Sequence, residues 1–98
     1  MPESIWVAEL IISPSVQQKL RDPQHRLDPD EVRRAIVAVP GLRFRERSDP
    51  PRGRRFYVEV FIDGERVLVV LYPVRHPMGE MYALGSAYRE PRGLNAAT

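Results

Sequence analysis

The chain has no cysteine, which removes disulfides, thiol nucleophiles and sulfur-ligated zinc from consideration. It has two histidines, far apart in sequence, and no carboxylates at ligand spacing, so no metal cluster and no cofactor is expected. It has no glycine-rich phosphate loop, and no serine-centred triad can be assembled from two loop histidines. It has no apolar run near the ~20 residues of a membrane span, and no basic leader precedes Ile5 and Trp6. These absences lead to the expectation of a cytoplasmic protein without a membrane anchor.

The chain is rich in arginine. Fourteen of its 15 Lys and Arg residues are Arg, the side chain whose planar fork grips phosphate oxygens in pairs. The charge is uneven. Residues 1–42 hold five basic and six acidic side chains, net −1, while residues 43–98 hold ten and seven, net +3. Arg43, Arg45, Arg47, Arg52, Arg54 and Arg55 stand against Glu46 and Asp49, a local +4 that attracts phosphates, although a solvated loop reads the same way.

Ninety-eight residues suggest one domain, which buries about 65% of its unfolded surface without staples. The expected domain runs over 1–90, with a frayed tail over 91–98. Trp6 to Ile12 is apolar on both faces apart from Glu9 and reads as one buried strand. Ser13-Pro14 opens a short helix with Val16 and Leu20 on its apolar stripe. Asp28-Pro29-Asp30-Glu31 opens a second. Its core face is Val32, Ala35, Ile36 and Val39, with Arg33 and Arg34 pointing away and Pro40-Gly41 as its stop. Leu42 to Arg47 alternates like a ragged edge strand.

The clearest local signal is Arg54 to Tyr72, two β-rich runs around Asp63-Gly64. That turn sets the register. Ile62 pairs with Glu65, Val60 with Val67, Val58 with Val69 and Phe56 with Leu71, giving a dry face. Arg55, Tyr57, Glu59 and Phe61 then oppose Tyr72, Val70, Leu68 and Arg66 on an open, aromatic and basic face. Val67 to Leu71 is apolar on both faces and therefore central. Met81 to Ser86 forms a further strand. The expected fold is α+β, in the order β-α-α-β-β-β. Two N-terminal helices pack on one face of an antiparallel, twisted sheet.

This order resembles the RelE/ParE superfamily of bacterial toxin–antitoxin toxins, and within it the BrnT-like toxins. Three segments carry the resemblance over roughly residues 6 to 89. They are Gln24-His25-Arg26-Leu27-Asp28-Pro29-Asp30-Glu31-Val32, then Arg55-Phe56-Tyr57-Val58 through Asp63-Gly64 to Val70, then Leu84-Gly85-Ser86-Ala87-Tyr88-Arg89. Gln24 and Arg26 stand where that group has Lys and Gly, and Tyr88 interrupts its Ser-Ala-Arg segment. The resemblance implies a metal-independent endoribonuclease that cleaves RNA through 2′-hydroxyl attack. It also implies neutralisation by a protein antitoxin, as a homodimer or in a hetero-oligomer. The alternatives are a non-catalytic binder on the same scaffold, such as a topoisomerase inhibitor, and a nucleic-acid-binding module without chemistry.

Such cleavage needs a base, an acid and cations around the phosphorane. The expected set is Arg55, Arg75 and Arg89 as phosphate clamps, His76 as acid or base, and Tyr72 beside Arg55. Arg43, Arg45, Arg52, Arg54, Tyr57, Tyr88 and His25 are candidate RNA contacts. For His25 the competing reading is a structural loop histidine, and for Glu59 a diagonal ion pair with Arg66. Phe61 and Leu68 are candidate antitoxin contacts, because an exposed Phe is unusual without a partner.

Overall fold

A computed structural model describes residues 4–23, 25–49, 53–74 and 79–89. The fold is α+β, with two helices and six strands in one curled, mixed sheet. The expected tail over 91–98 and the loop residues Arg52, Arg75 and His76 lie outside the described residues.

The helices begin where their caps dictate. Ser13 accepts from the Val16 amide and starts α1 (Pro14–Arg21), which buries Leu20. Asp28 accepts from the Asp30 amide and starts α2 (Pro29–Ile36), which buries Val32 and Ile36. The second helix ends earlier than Pro40-Gly41 would set it. Val37 leaves the helix to form a bridge with Val7, and Ala38 takes a left-handed backbone with φ 58°. Val39 still packs against the core from outside the helix. Arg33 does not point away. Its Nη1 donates to the Leu10 carbonyl at 2.5 Å and ties α2 to the sheet edge.

The expected single strand over Trp6 to Ile12 is two strands, β1 (Ser4–Ile5) and β2 (Glu9–Ile11). They pair at opposite edges of the sheet, whose order is β1-β3-β4-β5-β6-β2. The remaining strands are β3 (Leu42–Asp49), β4 (Gly53–Ile62), β5 (Glu65–Pro73) and β6 (Met81–Arg89). β2 runs parallel to β6, so the sheet is mixed rather than antiparallel throughout. In a flat sheet β1 and β2 would stand five inter-strand steps apart, about 24 Å. Only the steps from Ile5 to Glu9 join them, a reach of at most about 14 Å. The sheet must therefore curl. Trp6 on the crossing and Ile11 on edge strand β2 are both exposed.

The helices fill the concave side. Leu20, Leu27, Val32 and Ile36 share one core with Val58, Val67, Val69 and Leu71, all at 2% exposure or less. The hairpin pairs as its turn requires, from Ile62↔Glu65 through Val60↔Val67 and Val58↔Val69 to Phe56↔Leu71. Asp63 and Gly64 both take positive φ, as a two-residue hairpin turn of this kind demands. β5 lies between β4 and β6, the central position its two apolar faces call for.

The candidate functional site on the outer sheet face

The outer, convex face is built by period-two alternation. On β3 the residues that alternate with buried Leu42 and half-buried Phe44 are Arg43, Arg45 and Arg47, all exposed. Register carries them across the sheet. Arg47 lies opposite Arg55 and Arg45 opposite Tyr57. Tyr57 lies opposite Val70, and Val70 opposite Ser86. One row of this face therefore reads Arg45, Tyr57, Val70, Ser86.

Tyr72 belongs to the same end of the face. Between Val70 and Leu71 the β5–β6 register shifts, and Gly85 is the extra residue on β6. The Tyr72 ring lies over Gly85, where a Cβ would run into the ring. The neighbouring Ser86 hydroxyl is buried and has no hydrogen-bond partner among the described residues.

Toward the hairpin turn the face changes character. Glu59 and Arg66 form the expected diagonal ion pair at 3.6 Å. The Arg66 guanidinium stands 5.9 Å from the Phe61 ring centroid. Phe61 is 65% exposed, and Leu68, diagonal to it across the hairpin, is half-buried. Tyr88, opposite Leu68, is exposed. The turn end of the face thus carries an ion pair beside exposed Phe61 and Tyr88, while Arg45, Arg47, Arg55, Tyr57 and Tyr72 lie toward the other end.

Several expected site residues lie elsewhere. Arg54 is on the concave side. It binds Glu46 at 2.6 Å and sits 5.2 Å from the Phe56 ring centroid. The Arg54 hydrogen bond holds the Glu46 carboxyl below its ordinary range and raises the Arg54 guanidinium in turn. Phe56 joins Phe44 and Tyr82 in edge-to-face contacts at 5.2 and 5.7 Å. Burial pushes the Tyr82 phenol above its ordinary range, with Arg54 opposing the shift.

Arg89 does not lie past the last strand. It is the final residue of β6, opposite buried Val67 and therefore on the helix side. Its guanidinium engages Glu65 and donates to the Arg26 carbonyl at 2.8 Å. From Val67 to Tyr72 is five residues of strand, about 17 Å, so Arg89 and Tyr72 belong to opposite ends of the sheet. His25 is buried. Its Nδ1 donates to the Ala87 carbonyl at 2.9 Å, and its ring is 5.2 Å from that of Tyr88. β2 covers β6 only over Met81 to Ala83, and His25 caps the edge beyond it.

The structure therefore brings together Arg43, Arg45, Arg55, Tyr57 and Tyr72, and separates them from Arg54, Arg89 and His25. Arg47, part of the charge run, joins them on this face. The alternation of β3 was the signal that placed it. Among the described residues no three His, Asp or Glu side chains gather as a cation site, and no helix is long and apolar enough to cross a membrane. No family model, curated protein or solved structure matches the chain.

Proposed function

We propose that this protein binds RNA with its outer sheet face, and that the toxin-type endoribonuclease implied by the RelE/ParE resemblance is the catalytic form of the same reading. One observation carries it. Arg43, Arg45 and Arg47 share a face with Arg55, and the Arg45 and Arg47 positions stand in register with Tyr57 and Arg55. Guanidinium groups on the same face as aromatic rings suit phosphates and bases together. The placement of Arg89 favours binding over cleavage. An arginine held by Glu65 and the Arg26 carbonyl at the far end of the sheet is not a clamp for a phosphate near Arg55.

The test uses purified protein and fluorescently labelled RNA, followed by anisotropy and by gel. Binding at low salt that weakens at least tenfold in the double variant Arg45→Gln/Arg47→Gln supports the reading. Binding that ignores both substitutions, or no binding by a folded preparation, overturns it. On the same gel, strand scission abolished by Arg55→Ala and by His76→Ala would establish the endoribonuclease. Intact RNA at saturation would leave the non-catalytic binder.

A further inference from the structure

Resting on that reading, we infer that the outer face takes its nucleic acid as an unpaired strand. The strand's backbone lies along β3 and its bases turn inward over Tyr57 and Tyr72. Three features of the face point this way.

The first is width. The basic and aromatic residues lie on β3, β4 and β5, in the middle of a six-stranded sheet and not on a free two-stranded ribbon. A DNA major groove is about 12 Å wide and admits a two-stranded ribbon. The A-form RNA major groove is narrower still. This face cannot enter a major groove, and the shallow minor groove of A-form RNA offers 2′-hydroxyls and base edges rather than the base faces that Tyr57 and Tyr72 would stack on, so stacking requires bases that leave the helix.

The second is spacing. Arg43, Arg45 and Arg47 recur every second residue, about 6.8 Å apart along an extended strand. That is close to the separation of neighbouring phosphates in an unstacked, extended chain. A duplex, by contrast, curves its phosphates away from a straight row.

The third is adjacency. Tyr57 is the direct cross-strand neighbour of Arg45, and the Tyr72 ring packs against Gly85, where there is no Cβ to displace it. Each ring stands one strand or two inward from the arginine row, on the side where bases of a bound strand would project. Ring faces accept any base, so the site would be tolerant of sequence.

The experiment compares a labelled 12-nucleotide oligouridine with an RNA duplex of the same length over a salt series. The unpaired strand is expected to bind at least tenfold more tightly. The plot of log affinity against log salt should fall with a slope of about −2 to −3 for three or four phosphates. Arg45→Gln should flatten that slope by about 0.7. Tyr57→Leu should weaken binding about tenfold and leave the slope unchanged, while Tyr57→Phe keeps wild-type affinity. Far-UV circular dichroism and urea midpoints check that each variant is folded. A duplex bound as tightly as the single strand overturns this inference and leaves the RNA-binding reading standing. So does a Tyr57→Leu variant that binds normally. Failure of both nucleic acids to bind at low salt overturns the RNA-binding reading and this inference with it.

Discussion

Individual side chains in this protein are decided by what lies across the sheet from them. Gly85 is the clearest case. As the extra residue of a bulge it lets the Tyr72 ring rest on the β6 backbone, and any Cβ there meets the ring. Gly85→Ala should destabilise the fold by about 1–3 kcal/mol, the usual cost of overpacking, measured by urea unfolding. Adding Tyr72→Ala should recover part of that loss. A double variant no more stable than Gly85→Ala alone would show that the ring is not the obstacle. Tyr82 makes a second prediction at this scale. Its folded-state pKa is raised by burial. Its stabilising contribution is thus fully present below the ordinary phenol pKa of about 10, and is lost as pH rises through the folded value. Absorbance titration should show a tyrosinate component above the ordinary range that disappears in Tyr82→Phe. Chemical stability should decline in parallel above pH ~10, less steeply in that variant.

At the scale of elements, the loop between α1 and α2 closes an edge that no strand covers among the described residues. β2 reaches only to Ala83, and beyond it the loop supplies His25 to the Ala87 carbonyl and the Arg26 carbonyl to Arg89. A buried carbonyl deprived of its donor costs about 1–3 kcal/mol. His25→Ala should lower stability by that amount in urea melts, with RNA affinity at saturating folded protein unchanged. An affinity loss without a stability loss would instead return His25 to the binding surface, as the sequence reading allowed. Ser13, Asp28 and Asp63-Gly64 act within a few residues of themselves, and their positions were legible from the chain. The segment over Trp6 to Ile12 was not legible, because an apolar run carries no mark of where a chain crosses from one sheet edge to the other.

The described residues share one sheet and one core. The stretch from Ile5 to Glu9 joins both edges of the sheet, and the two helices share their core with the inner faces of β4 and β5. No part can leave without exposing the rest. Unfolding followed by Trp6 fluorescence and by far-UV circular dichroism should therefore give coincident urea midpoints. An earlier fluorescence transition would show that the N-terminal crossing detaches separately. The curl also determines what the outer face offers. A convex face presents its arginines and tyrosines without enclosing a ligand, which suits a bound strand better than a sequestered reaction.

The chain by itself determined the α+β class, both helix starts, the hairpin register and the division of that hairpin into a dry face and an Arg/Tyr face. Each of these follows from short-range rules, namely capping, turn geometry and a period of two. Only the tertiary structure decided which strands stand beside one another. It set Arg47 against Arg55, turned Arg89 to the helix side, buried His25 against β6 and split the first strand between two edges. Those outcomes depend on which distant segments can bury their apolar faces together, and local sequence carries no record of that choice.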